Sequence, residues 1–116
     1  MFTHPALLRE LTLLAELLRR NGEAEWSRRT VQAADGVRKA GWTAAGAAHA
    51  RSLFAGDRNL HSVSFGAEHL RWVGGEPGIP RANERLERHR LKVLDLMTHP
   101  VQAPEEGPRK RSPDLA

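Results

Sequence analysis

Pro5-Ala-Leu-Leu-Arg-Glu-Leu-Thr-Leu-Leu-Ala-Glu-Leu-Leu-Arg-Arg20 is the stretch that decides the fold of this 116-residue chain. Leu7, Leu8, Leu11, Leu14 and Leu18 recur mostly at intervals of three and four, the period of a helix with one face turned inward. Thr3 and Pro5 suit its start and Asn21-Gly22 its stop, because glycine reaches the left-handed conformation that closes a helix. The spacing predicts a helix over 5–20. Such a helix cannot bury its own leucines, so others must cover it.

Those covering elements follow along the chain. Gly22 leads into Glu23 and Glu25, acids favoured near the positive end of a helix, and Trp26, Thr30, Ala33, Ala34 and Val37 carry the helical period to about residue 40. Gly41 and Trp42 interrupt it, after which Thr43 can cap a third helix with Ala47, Ala50, Leu53 and Phe54 on one side. From Gly56 the pattern changes. The mixed patterning of Leu60, His61, Ser62, Val63, Ser64 and Phe65 predicts a short strand or an irregular segment, and as a strand it would pair with Leu70, Trp72 and Val73 in a small hairpin turned by Gly66, Ala67, Glu68 and His69. Gly74, Gly75, Pro77, Gly78 and Pro80 predict a loop. A last helix is expected to begin near Asn83, with Ala82, Leu86, Val93, Leu94 and Met97 as its inward stripe and Pro100 beyond its end. The expectation is a mostly α single domain over 1–98, of about four helices with a short extended element or hairpin before the last. Residues 99–116, with Pro104, Pro108 and Pro113 among charges, form a tail expected to stay disordered, lacking apolar surface to offset its ordering entropy.

Composition narrows the function classes. With 40% hydrophobic and 28% charged residues the balance is that of a globular domain, and the absence of cysteine removes disulfides, thiolate metal sites and a cysteine nucleophile. Neither a cationic leader nor a long uncharged run is present, so a cytoplasmic protein without membrane contact is expected. The net charge of +4 invites a nucleic-acid partner. Yet 15 of the 18 cations are arginine amid many Ala, Gly and Pro, the mark of GC-rich coding, which makes a domain basic without any anionic ligand.

Glu10 is the anomaly in the leucine stripe, one helical turn from Ala6, Leu7, Leu13 and Leu14. Arg90 lies similarly between Leu86, Val93, Leu94 and Met97, with His89 at the stripe's edge. If the first and last helices pack together, Glu10 and Arg90 are expected to pair, because an unpaired buried charge costs about 3–5 kcal/mol. A carboxylate at the edge that reaches water is the equal alternative. A general base in a pocket is the third reading, weakened because no second carboxylate, nucleophile or phosphate loop stands at a telling spacing.

Other motifs resolve into blander readings. His4, His49, His61, His69, His89 and His99 show no paired metal-ligand spacing, so neither a metal nor a cofactor is expected. Ser62 and Ser64 beside His61 lack the glycine elbow of a hydrolase nucleophile, and Gly74, Gly75 and Gly78 lack the order of a dinucleotide loop. Arg81, Arg85, Arg88 and Lys92 are more substantial: spacings of four, three and four place them on one helical face, opposite the apolar stripe. Glu84, Glu87 and Asp95 moderate this ridge, so a solvated face is the favoured expectation over a specific ligand site, and Arg109, Lys110 and Arg111 in the tail are offset by Glu105, Glu106 and Asp114.

Leu17, Leu18, Arg19, Asn21, Gly22, Glu23 and Trp26, then Ser52, Leu53, Phe54, Ala55 and Gly56, then Asn83 and Leu86, resemble a small bacterial domain family of unknown function. Its members typically continue the Leu-Phe segment as Gly-Gly-Met-Gly-Ser, an apolar residue and Asn-Asp. This chain departs there, with Asp57 and Arg58 in place of glycines and His61 and Ser62 in place of Asn-Asp. The resemblance implies a compact, mostly helical domain and supplies no activity; by analogy only, such domains are immunity-like or antitoxin-like. The expected function is a non-catalytic protein-binding module, an inhibitor that masks a toxin being one form of it. Its contact residues are expected to be Gly56, Asp57, Arg58, His61 and Ser62, with the ridge Arg81, Arg85, Arg88 and Lys92. The alternatives are a nucleic-acid-associated protein using that ridge and an enzyme centred on Glu10.

Overall fold

Four substantial helices, α1 Pro5–Arg20, α2 Ala24–Ala40, α3 Ala44–Arg51 and α5 Ile79–Thr98, enclose the core in a computed structural model that describes residues 3–98. A single-turn helix, α4 Leu70–Val73, and four 3-10 turns occupy the connection between α3 and the body of α5. The protein is mostly α. The expected tail lies outside the described residues.

α1 is the central element, packed on α2 along one side and on α5 along the other. Leu7, Leu11, Leu14 and Leu18 are fully buried, each contributing about 1.5–3 kcal/mol by leaving water. His4, rather than Thr3, caps this helix: its Nδ1 accepts from the Leu7 N–H at 3.4 Å, and its Nε2–H donates to the Leu96 carbonyl of α5 at 2.9 Å. One histidine thereby ties the start of α1 to the end of α5. On the other side, Ser27 donates to the Ala15 carbonyl at 2.8 Å, an approach that small Ala33 and Ala34 on α2 extend along the interface. Thr43 caps α3 as its sequence suggests, its hydroxyl accepting from the Gly46 N–H. Gly46 is required there, since a Cβ would stand 1.9 Å from the Gly41 carbonyl oxygen.

The expected hairpin is absent: no strand occurs among the described residues. Leu60–Ser62 forms a 3-10 turn, and Leu70–Val73 is α4 instead of a second strand. Burial of Leu60, Val63 and Phe65 with exposure of His61, Ser62 and Ser64 produced the strand-like alternation. Backbone groups of this segment are satisfied by side chains of α5 in place of a neighbouring strand. Asn83 accepts from the Phe65 N–H at 2.7 Å and donates to the Phe65 carbonyl at 2.9 Å, both bonds a strand partner would make. Seven residues on, the Arg90 guanidinium donates to the carbonyls of Leu60, His61 and Val63.

α5 also begins earlier than Asn83, at Ile79, because Pro80 in its first turn needs no hydrogen-bond partner for a missing N–H. Asn83→Ala should therefore cost about 1–3 kcal/mol for each Phe65 backbone group left without a partner, read as a lower urea midpoint. An unchanged midpoint would show that water replaces the amide without loss.

Candidate functional site

Glu10 does not meet Arg90, which corrects the expected pair. Its Oε1 lies 3.1 Å from His89 Nδ1 across the α1–α5 interface, with 16% of the carboxylate side chain exposed. Arg90 instead turns toward Leu60, His61 and Val63 and to Glu87, whose Oε1 accepts from Nη2 at 2.5 Å. Adjacent positions on a helix diverge by about 100°, so His89 and Arg90 serve different neighbours. A double-mutant cycle should find stronger coupling for Glu10→Gln with His89→Gln, on the order of 0.5–3 kcal/mol, than for Glu10→Gln with Arg90→Met. Equal coupling in both cycles would contradict this geometry.

A second His–carboxylate pair has no local signal in the sequence, because its members stand 46 residues apart. His69 is 3% exposed; its Nδ1 accepts from the Gly66 N–H at 2.9 Å, so its Nε2–H donates to Glu23 Oε2 at 2.6 Å. Both ring nitrogens are thus engaged, one closing the turn before α4 and the other fastening it to the start of α2. No group of three His, Cys, Asp or Glu side chains among the described residues is arranged to hold a metal.

The residues expected to bind a partner do not form one surface. Gly56, Asp57 and Arg58 are exposed in the connection after α3, and His61 and Ser62 are exposed in the 3-10 turn beside Arg90. His61 leans on Phe54 at 4.9 Å between ring centroids, and the Ser62 hydroxyl donates to the Asn59 carbonyl at 2.7 Å. Arg81, Arg85, Arg88 and Lys92 are exposed too, but lie roughly 140–180° round α5 from Arg90. The ridge and the loop therefore face different directions. Glu87 is held by Arg90, whereas the four ridge cations make no hydrogen bond or ion pair among the described residues.

The first half of the ridge opens onto an unexpected cleft of about 520 Å³, where the end of α1, α4 and the start of α5 meet. Arg81 and Arg85 line it from α5, Arg20 from α1, and Trp72 and Val73 from α4, over a floor that includes Leu17 and Ala82. Trp72 remains 44% exposed. Its position depends on Gly22: φ is +90°, and a Cβ there would lie 2.6 Å from the indole's ring-fusion carbon Cδ2. The Arg71 guanidinium sits over the same ring, 4.7 Å from its centroid. Trp72 could not be assigned to this place from sequence, because its position depends on the turn at Gly22, and what Arg20 faces at the end of α1 depends on how α4 and α5 pack there.

Arg20 is shared with Glu16, whose Oε2 accepts from Nε at 3.0 Å. Hydrogen bonding from Arg19, then from Arg20, holds the Glu16 carboxyl below the usual range. Its small support for α1 is present above the unfolded carboxylate pKa and fades as pH falls through the lowered folded value. Arg81 and Arg85 have no such neutralising partner and supply the cleft's excess positive charge. A second concavity, of about 510 Å³ between α1 and α2, exposes Leu13 and Val31, but its rim ions are matched as Arg19–Glu16 and Arg38–Asp35.

No family model, curated protein or solved structure matches the chain significantly. The resemblance at Leu53 and Phe54 consequently assigns no site.

Proposed function

We propose that this protein is a non-catalytic protein-binding module that holds an acidic partner on the ridge of α5. One observation carries the reading: Arg81, Arg85, Arg88 and Lys92 share an exposed face and make no hydrogen bond or ion pair among the described residues. Glu10 bonds to His89, His69 to Glu23 and Gly66, and His4 to Leu7 and Leu96. An enzyme centred on Glu10 finds little support, since that carboxylate already serves the α1–α5 seam. Complementary charge speeds encounter and selects partners more than it raises affinity, a behaviour suited to masking another protein. Toxin inhibition would be one form of such masking.

Nucleic acid is the second reading, supported by the same ridge. Four cations over about three turns can track phosphates, but binding of that kind would weaken steeply as salt rises. The test is to isolate the protein's stable complex from its own cells, purify the companion and reconstitute the pair. Arg81→Glu/Arg85→Glu should melt like the unmodified chain and bind the companion at least about ten-fold more weakly, a loss near 1.4 kcal/mol. A companion that is nucleic acid, or one bound equally by the variant, would refute the assignment.

A further inference from the structure

We infer that the Trp72 cleft is the recognition pocket for a carboxylate-rich peptide segment of the partner, with Arg81 and Arg85 taking its carboxylates. The inference rests on the protein-binding reading and narrows it to one place and one ligand chemistry. Arg81 and Arg85 stand one helical turn apart, and Arg20 faces them across the cleft from the last turn of α1. Guanidinium forks match carboxylates in two-point hydrogen bonds, and neither α5 arginine makes an ion pair among the described residues.

Two further observations favour a peptide over a nucleic-acid strand. Leu17, Val73 and Pro77 give the cleft apolar walls that suit aliphatic side chains between acidic ones and offer little to a sugar-phosphate backbone. The Trp72 indole is already packed by Gly22 and overlaid by Arg71, so it is a wall of the cleft rather than an open plate for a base. A volume of about 520 Å³ falls within the range of sites that enclose a small ligand or a few side chains.

The direct test uses the full chain and a capped peptide in which a leucine is flanked on each side by two glutamates. Calorimetry at physiological salt should show saturable binding, and Trp72 fluorescence should respond. Replacing the peptide's glutamates by glutamines should abolish the heat. Arg81→Glu/Arg85→Glu, with its melting temperature checked, should weaken binding at least about ten-fold. Trp72→Phe should keep the heat while losing the fluorescence change. Absence of peptide binding, or equal binding by the arginine variant, overturns the pocket; if that variant still loses the reconstituted companion, the protein-binding reading survives alone. A short single-stranded oligonucleotide that binds more tightly than the peptide, with the same arginine dependence, overturns both.

Discussion

The segment from Leu60 to Phe65 lies on α5 without a neighbouring strand, and its buried backbone groups must still be paired. Asn83 and Arg90 meet that demand from positions seven apart, one face of α5 acting as a polar ladder. This fixes the rotation of α5 about its axis. Once Arg90 points to those carbonyls, His89 is turned toward α1 and meets Glu10, while Leu86 and Val93 enter the core. The opposite side, with Arg81, Arg85, Arg88 and Lys92, is left to solvent. One requirement of backbone chemistry thereby sets both the packing and the free surface.

How much of this was legible in the sequence depended on how local the signal was. The Leu7, Leu11, Leu14 and Leu18 stripe needs only its own spacing, and Thr43 as a cap needs only the next few residues. The Leu60 to Phe65 segment could not be judged in that way. Its alternation fits a strand, but its hydrogen-bond partners are side chains 18 to 30 residues away. Glu10 signalled that it required a partner, yet the choice between neighbours His89 and Arg90 rests on the rotation of α5. Arg81 and Arg85 were visible as a ridge; that they form a cleft with Trp72 and Arg20 depends on the Gly22 turn and on α4, where a hairpin was expected.

The same division of labour shapes the functional proposal. His4 and Glu10 fasten α1 to α5, and His69 fastens the connection to α2. The four ridge cations make no hydrogen bond or ion pair among the described residues, and no helix among those residues is long and apolar enough to cross a membrane. Carrying several like charges on one face has an electrostatic cost that a complementary partner would relieve. Contact with another protein is consequently the proposed role, with the Trp72 cleft as its most specific feature.

The most direct measurement is the urea denaturation midpoint of a chain in which Arg81, Arg85, Arg88 and Lys92 are all replaced by glutamine. If the ridge takes no part in the fold, stability should stay within about 0.5 kcal/mol per site and the midpoint should hold or rise slightly as repulsion is relieved. A loss of several kcal/mol would show that these cations hold the structure together, and the claim that they are free for a partner would be wrong.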